Sequence, residues 1–234
     1  MVDFIQEGSI LLVDKPLQWT SFDVVKKIKI HLQKISGKKR IKVGHAGTLD
    51  PLATGLLIIC TGKKTKTISL IQDQVKEYRG IIQLGATTPS FDLETEPENH
   101  CDIQAISEEM LHKTAQSFEG EIMQTPPIFS AVKFKGKRAY EYARKGREIK
   151  LKEKKITINQ FHLSKIDLPE IHFKINCSKG TYVRSLANDF GEKLKVGGYL
   201  KQLRRTKIGS YDVNQAQELE ELIQMLTTSL KEPF

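Results

Sequence analysis

The amino-acid sequence predicts an α+β fold in one domain. Apolar segments of strand length alternate with segments of helical periodicity, and their order lacks the regular βαβ rhythm of a doubly wound fold. The chain of 234 residues is long enough to bury a sizeable core. No internal repeat or low-complexity linker interrupts it. We therefore expect a single domain that covers residues 1–234.

The first half of the chain carries clear signals for its elements. Residues 9–13 form an apolar run that predicts a buried strand, and Pro16 follows soon after it. Thr20 and Asp23 have the spacing of a capping box, and Gly37 lies where the helix that they start would end. Further patterns predict strands at 56–60 and 78–85 and helices at 65–72 and 107–118.

The second half mixes the same two periodicities. Strands are predicted at 126–133, 156–166 and 171–177, the last two as a pair separated by a short turn. Helical periodicity follows at 183–194, and an acidic amphipathic helix is predicted at 214–226. These elements complete a chain in which strands and helices are mixed throughout.

Charge is unevenly distributed along the chain. There are 37 Lys and Arg against 28 Asp and Glu, a formal net charge of +9. Residues 26–42 hold eight bases and no acid, residues 133–155 hold eleven bases and three acids, and residues 92–109 hold seven acids and no Lys or Arg. Such segregation is typical of a one-sided surface that binds phosphates, although solvated lysine-rich faces would give the same pattern.

Other features exclude several classes of protein. No apolar run approaches the roughly 18 residues of a membrane-spanning helix, and the first residues lack the layout of a signal peptide. The three cysteines, Cys60, Cys101 and Cys177, are far apart and form no Cys-x-x-Cys pair. They therefore predict neither a disulfide framework nor a zinc site, and their use fits a reducing cytoplasm.

One carboxylate lies in an unusual setting. Asp50 is part of a twelve-residue string over 44–55, Gly-His-Ala-Gly-Thr-Leu-Asp-Pro-Leu-Ala-Thr-Gly. Its glycines allow positive φ or close approach of another backbone, and Pro51 biases Asp50 toward an extended or turning conformation. An Asp-Pro pair alone usually indicates a turn cap, so the whole string, rather than the pair, makes Asp50 a candidate catalytic residue.

This string resembles the signature of the TruB family of tRNA pseudouridine synthases, in which the aspartate is catalytic. The resemblance implies the pseudouridine synthase fold: a mixed, largely antiparallel central sheet flanked by helices. It also implies that the basic segment at about 126–155 is an insert that clamps RNA. Most bacterial relatives carry a further C-terminal RNA-binding (PUA) domain. Since this sequence stops soon after Tyr211, with the short helix at 214–226, we expect that domain to be absent.

Further strings extend the resemblance to most of the chain. Residues 178–187 match the family's strand-to-helix motif, whose arginine pairs with the catalytic aspartate, which implies that Arg184 pairs with Asp50. Residues 76–79 resemble the motif that supplies an active-site tyrosine, here Tyr78, to stack on the target uracil and handle its C5 proton. The loop at 85–94 places Asp92 where the family has an acid that orients the arginine.

Three more residues are assigned to substrate or RNA binding by the same resemblance. His45 corresponds to a histidine that holds the RNA loop near the flipped base. Leu203, in the string at 200–206, matches a leucine that lines the uracil pocket. Lys15, in the string Asp-Lys-Pro, would support the pocket or contact phosphate. The histidines form no metal-like spacing, and we expect no metal and no cofactor.

The implied activity is the isomerisation of uridine 55 in the T loop of tRNA to pseudouridine. The base is flipped into a pocket where Asp50 attacks either C1′ of the ribose or C6 of the uracil. The expected partner is the tRNA T stem-loop, and the protein is expected to be a cytoplasmic monomer that needs neither a protein partner nor a membrane. An RNA-binding or tRNA-folding protein with incidental catalysis is the alternative, and a glycosylase that releases uracil is a third possibility.

Overall fold

The computed structural model describes Ile5 and residues 7–231. Within these residues there are six α-helices and twelve strands. The helices are α1 Ser21–Ser36, α2 Ile68–Gln72, α3 Glu108–Gln116, α4 Ala139–Ala143, α5 Val183–Lys193 and α6 Leu219–Lys231. The strands are β1 Ile10–Lys15, β2 Val43–His45, β3 Ala53–Thr61, β4 Lys76–Leu84, β5 Gly120–Gln124, β6 Lys133–Phe134, β7 Lys137–Arg138, β8 Lys154–Asp167, β9 Glu170–Cys177, β10 Gly198–Ile208, β11 Tyr211–Asp212 and β12 Gln217–Glu218.

The chain divides into two compact units. One, the terminal unit, contains the chain up to Tyr78 and again from Arg204 onward. The other, the middle unit, contains Arg79–Leu203. Strand pairing is mixed and largely antiparallel, because β1 runs parallel to β12 while β1–β3, β2–β3, β5–β8 and β8–β9 are antiparallel pairs. The predicted α+β class and the mixed sheet are confirmed.

The terminal unit is built around β3. Its strand order is β12, β1, β3 and the C-terminal part of β10, with β2 also beside β3. The middle of β3, Leu56 to Cys60, has no exposed surface, and Leu56, Ile58 and Cys60 pack in a cluster with residues such as Ile71 and Ile208. Helix α1 also contributes apolar side chains to the core. The strand that follows the Asp50 string is thus buried on both faces.

The middle unit is a sheet with an aromatic core. Its strand order is β4, β9, β8 and β5, and β8 and β9 form a hairpin whose last pair is Asp167 with Glu170. Phe161 on β8 lies 5.7 Å, centroid to centroid, from Phe173 and from Phe190, and 6.4 Å from Phe118. Such tilted and edge-to-face ring pairs add about 0.5–1.5 kcal/mol each beyond area burial. They hold α5 against the sheet.

Most sequence-predicted elements are confirmed. Thr20 and Asp23 form the capping box of α1, and Gly37 ends that helix at φ 69°. Ser107 caps α3 by accepting a hydrogen bond from the Met110 N–H. The strands at 156–166 and 171–177 and the helix at 183–194 correspond to β8, β9 and α5. The helix predicted at 65–72 begins as a 3-10 turn, Gly62–Thr67, and becomes α-helical only at Ile68.

Two predictions were wrong. No strand runs through 126–133: the strand of this region, β5, ends at Gln124, and the irregular segment that follows has two prolines, which donate no backbone hydrogen bond. The C-terminal helix does not begin at residue 214 but at Leu219, because Val213–Gln215 forms a 3-10 turn and β12 pairs with β1. A parallel pairing between chain ends leaves no local signal in the sequence.

The region of the expected insert contains a small hairpin and a helix. Strands β6 and β7 pair around Lys135 and Gly136, both at positive φ, and lead directly into α4. Phe134 packs edge-to-face on Tyr142, with 5.6 Å between the ring centroids. The basic side chains of this region are mostly exposed. No helix among the described residues is both long and apolar enough to span a bilayer.

Candidate active site

The Asp50 string forms a loop between β2 and β3 in the terminal unit. The loop is closed at its base by a hydrogen bond from the Ala46 N–H to the Ile58 carbonyl, 2.9 Å, and turns where the Ala53 N–H donates to the Asp50 carbonyl, 3.1 Å. Gly55 adopts φ 99°, and a Cβ there would lie 2.3 Å from the Arg205 carbonyl. Glycine is therefore required at the end of the loop, for both reasons that the sequence suggested.

Backbone hydrogen bonds fix the residues on either side of Asp50. The Ser21 hydroxyl donates to the Leu49 carbonyl, 3.0 Å, and accepts from the Leu49 N–H, 2.8 Å. On the other side the Gln18 N–H donates to the Pro51 carbonyl, 2.8 Å. Both anchors lie at the start of α1 or just before it. Asp50 itself is half-buried, and its backbone is held in place by neighbours that are tied to the start of a helix.

Lys15 is a buried cation beside this loop. It ends β1 with no exposed surface, and its ammonium donates to the carbonyls of Pro16 (2.9 Å), Trp19 (2.6 Å) and Pro51 (3.4 Å). Burial lowers the pKa of Lys15 to about 8, and the negative charge of Asp50 opposes that shift. The structure thus brings together two sequence-predicted site residues, with Lys15 linked to Asp50 by charge and to Pro51 by a hydrogen bond.

Arg205 is a functional candidate that the sequence analysis missed. Its side chain is 1% exposed, and its guanidinium donates to the carbonyls of Leu56 (2.8 Å), Gly47 (3.0 Å) and Thr48 (3.4 Å). It therefore ties the first half of the Asp50 loop to β3. Strand periodicity could have identified it, because the two-residue repeat places Arg205 on the buried face and Arg204 on the half-exposed face. No strand was predicted for residues 199–208, so this periodicity was not used.

His45 and Tyr78 lie in strands of the terminal unit. His45 is on β2, in register with Ile59 of β3. Burial lowers the pKa of His45, the Gly47 backbone opposes the shift and the charge of Arg205 adds to it. The imidazole is therefore neutral at pH 7, so it can offer hydrogen bonds to RNA but no charge. Tyr78 is buried within β4.

In the middle unit, Arg184 lies in the first turn of α5 among acceptors. Its Nη1 donates to the Ser90 carbonyl, 3.1 Å, and its Nη2 to the Phe129 carbonyl, 2.9 Å. Its Nε lies 3.6 Å from Asp92 Oδ2 in an ion pair whose two side chains are each 4% exposed. A guanidinium with a buried carboxylate and two carbonyls around it has a fixed orientation. The sequence-predicted acid and arginine are thus in contact.

The loop that carries Asp92 is closed by Thr95. Thr95 accepts a hydrogen bond from the Ser90 N–H through Oγ1, 3.1 Å, and its hydroxyl lies 2.8 Å from the Ser90 hydroxyl. Asp92 Oδ1 accepts from the Glu94 N–H, 3.0 Å. Leu203 is half-buried on β10, in the same unit.

The predicted site residues therefore form two groups. The terminal unit holds Asp50, Lys15, His45 and Tyr78, and the middle unit holds an Arg184–Asp92 pair together with Leu203. The pairing of Arg184 with Asp50 stays a prediction. Among the described residues no three His, Cys, Asp or Glu side chains are grouped as metal ligands would be. Within its own unit, each group has one buried cation, Lys15 or Arg184, that donates to backbone carbonyls.

Comparison with known proteins identifies one family over most of the chain. Residues 33–183 match the family model of the TruB family pseudouridylate synthase N-terminal domain, and residues 184–232 match that of the tRNA pseudouridylate synthase B C-terminal domain. Curated relatives agree. The tRNA pseudouridine synthase B of Flavobacterium johnsoniae is 56% identical over 211 residues, 90% of this chain and 92% of that one. The protein of that name from Chloroherpeton thalassium is 51% identical over 221 residues, 94% and 91% of the two chains.

Solved structures show the same fold. A chain of a Cbf5-Nop10-Gar1 complex superposes with a TM-score of 0.70 at 25% identity, covering 95% of this chain and 55% of that one. A chain of an H/ACA RNP bound to a substrate RNA containing 2′-deoxyuridine superposes with a TM-score of 0.66 at 24% identity, covering 92% and 52%. This chain thus spans about half the length of those solved chains. The predicted pseudouridine synthase fold is confirmed.

Proposed function

The chain belongs to the TruB family of pseudouridylate synthases, and from that membership we propose that it converts uridine 55 in the T loop of tRNA to pseudouridine, with Asp50 as the attacking group. The observation that carries the proposal is the loop at 44–55. It contains the family signature without interruption, and it holds its carboxylate between two hydrogen-bonded neighbours, Leu49 and Pro51. Two relatives of similar length, 56% and 51% identical to this chain, are named tRNA pseudouridine synthase B.

The reaction needs only one carboxylate. The N1–C1′ bond of the uridine breaks, a C5–C1′ bond forms, and the proton leaves C5 while N1 gains one. No water is consumed and no group departs, so the second carboxylate with which a glycosidase activates water has no role. An adduct with Asp50 on C1′ keeps the ribose on the enzyme, and one on C6 keeps the uracil on it. In either case the pocket must retain the other half without a covalent bond while the base turns, and Asp50 is released when the C5–C1′ bond forms.

The surroundings of Asp50 suit this role. A nucleophile must be ionised, and a nearby cation favours the ionised form of a carboxyl group. Lys15 supplies such a charge at close range. Arg184 is proposed as a second cation for Asp50, with Asp92 and the Ser90 carbonyl fixing its orientation. We assign the loop anchors to positioning, because about 1 Å of misplacement of a reacting group costs about a hundredfold in rate.

Binding of the flipped base is assigned to the remaining site residues. The Tyr78 ring is proposed to stack on the uracil and to handle its C5 proton, Leu203 to line the pocket, and neutral His45 to hold the RNA loop. A base in a loop costs less to extrude than a paired one, which suits a T-loop target. The basic segment at 126–155 is proposed to clamp the RNA backbone, with its exposed lysines and arginines on the phosphates. We expect a cytoplasmic monomer that acts without a protein partner.

A direct test determines which position of tRNA the protein modifies. Purified protein is incubated with an unmodified tRNA transcript, and pseudouridine is mapped along the RNA. We expect modification at position 55, none with Asp50→Asn, and normal modification with the matched control Asp102→Asn, which changes an exposed aspartate in the acidic segment. Pseudouridine at position 55 formed by the Asp50→Asn protein would refute the catalytic assignment.

The same reaction separates the alternatives. Release of free uracil, detected by mass balance between RNA and small molecules, would indicate a glycosylase instead. A role in tRNA folding predicts that Asp50→Asn still supports tRNA maturation in cells, although it forms no pseudouridine. Full loss of both functions in that variant would support catalysis as the principal role.

A further inference from the structure

A basic groove runs along α1 within the terminal unit, outside the residues assigned to the reaction. It encloses a cavity of about 660 Å³, within the usual range of about 300–1,000 Å³ for ligand sites. Its lining comes from the loop before α1, from one stripe of that helix and from α6. The lining residues used below are Gln18, Trp19, Asp23, Lys26, Lys27 and Lys34.

The groove combines positive charge with an aromatic ring. Lys26 and Lys34 are exposed and lie on the same stripe, two turns or about 12 Å apart along the helix. Trp19 is half-buried, and the Lys27 ammonium lies 5.3 Å from its ring centroid. Lys27 is also ion-paired with Glu220 of α6, so its charge is partly compensated. Lys26 and Lys34 are the cations left for a ligand.

The one acid in the lining, Asp23, interacts electrostatically with Lys26 but offsets only part of the charge of the three lysines there. Asp23 is engaged in the capping box, where its carboxylate accepts from the Thr20 N–H, 3.1 Å, and hydrogen bonding to Thr20 lowers the pKa of Asp23. Exposed apolar side chains occur in the lining and next to lining residues in the sequence: Ile30 is 53% exposed, and Phe22, which precedes Asp23, is 68% exposed. Lysines next to exposed aromatic and aliphatic side chains are the composition that binds unpaired nucleotides, by phosphate contacts and stacking.

The hydrogen bonds of Lys15 and Gln18 connect the groove to the Asp50 loop. The Trp19 carbonyl and the Pro51 carbonyl both accept from the Lys15 ammonium, at 2.6 and 3.4 Å. The Gln18 N–H donates to the same Pro51 carbonyl, 2.8 Å. A ligand that contacts Trp19 or Gln18 therefore acts on residues bound to the neighbour of the attacking carboxylate. A merely solvated lysine face would have no such connection.

We propose that this groove binds an unpaired nucleotide of the RNA substrate, with its base against the Trp19 ring and its flanking phosphates at Lys26 and Lys34. It is a second contact with the RNA, separate from the pocket for the target uridine. The proposal rests on the proposed function only in taking tRNA as the RNA. Charge complementarity selects this occupant, because the open cations of the groove suit phosphates and the ring suits a base.

Trp19 makes the test direct, since it is the single tryptophan of the sequence. Its fluorescence is followed while the protein is titrated with a tRNA transcript that has cytidine at position 55 and so cannot be isomerised there. Stacking of a base on the indole predicts a saturable quenching that parallels binding. If the transcript binds, as measured by filter retention, while the fluorescence of Trp19 does not change, the proposal is overturned.

Charge variants provide the second arm. Lys26→Gln with Lys34→Gln should weaken tRNA binding by about tenfold and lower the slope of log Kd against log salt by about 1–2. The matched control is Lys29→Gln, an exposed lysine on the same helix that does not line the groove. If Lys29→Gln weakened tRNA binding as much as Lys26→Gln or Lys34→Gln alone, the proposal of a specific site would be refuted. Both measurements use a tRNA that cannot be isomerised at position 55. Their outcome therefore does not depend on whether the proposed catalysis occurs.

Discussion

Replacing Arg205 with methionine tests how the Asp50 loop is held. Methionine keeps the length of the buried stem but removes the five N–H donors of the guanidinium. The carbonyls of Leu56 and Gly47, at 2.8 and 3.0 Å, then lose their charged donor, and that of Thr48, at 3.4 Å, loses a weaker one. Water cannot easily take the place of the lost donors, because the arginine is 1% exposed.

The expected loss in unfolding free energy follows from the two short hydrogen bonds, those to the carbonyls of Leu56 and Gly47. A buried acceptor left without its donor costs about 1–3 kcal/mol, and removing a desolvated charge recovers part of that, so we expect a net loss of about 2–4 kcal/mol in unfolding free energy. A domain with about 5–15 kcal/mol of stability stays folded after such a loss. The loop, however, is released on one side of Asp50, and we expect kcat to fall by about a hundredfold with little change in tRNA affinity.

Urea unfolding and single-turnover pseudouridine formation measure these two quantities. The matched control is Arg204→Met, which removes the neighbouring arginine from its ion pair with Asp14, whose side chains are 42% and 28% exposed. An ion pair that exposed contributes about 0–1 kcal/mol, so this variant should be near normal in stability. If Arg205→Met also lost less than about 1 kcal/mol and kept its rate, the assigned role of Arg205 would be wrong.

Four further predictions concern the Asp50 loop and the loop that carries Asp92. Gly55→Ala should lower the melting temperature markedly, because a Cβ at φ 99° would lie 2.3 Å from the backbone of β10; an unchanged melting temperature would contradict this. Lys15 has its pKa lowered to about 8, so its charge beside Asp50 is lost above that pH: the rate should fall with an apparent pKa near 8, and Lys15→Met should remove that step. Stability should move the other way, rising between pH 8 and 10.5 relative to Lys15→Met, because the unfolded chain binds more protons there. Thr95→Ala should lose about 1 kcal/mol through the unmade bond from the Ser90 N–H, whereas Thr95→Ser should restore it in urea unfolding.

The parts of the fold that were predicted from sequence are those with local causes. The capping box of Thr20 and Asp23, the helix end at Gly37 and the hairpin of β8 and β9 each depend on residues close together in the chain. The same holds for the loop at 44–55, whose glycines and proline dictate its path. The candidate residues were found because they lie in short strings with a recognisable composition.

The parts that were missed depend on long-range packing. Arg205 lies 149 residues from its partner Leu56, and no residue near it in the sequence indicates which carbonyls its guanidinium will bind. Likewise β12 is two residues long and exists only because the edge of β1 is available for parallel pairing. No strand was predicted for residues 199–208, although the periodicity of β10 divides Arg204 and Arg205 between solvent and core.

The two buried cations of the terminal unit explain why the loop is both rigid and charged. Lys15 and Arg205 each donate to three backbone carbonyls, and these carbonyls lie on either side of Asp50 along the chain. A carbonyl satisfies a donor without cancelling its full charge, unlike a carboxylate. The positive charge of Lys15 therefore remains available to Asp50, at a cost in desolvation that shows in its lowered pKa. Burying an ammonium in this way does little for stability, so we infer that its place beside the loop serves the reaction rather than the fold.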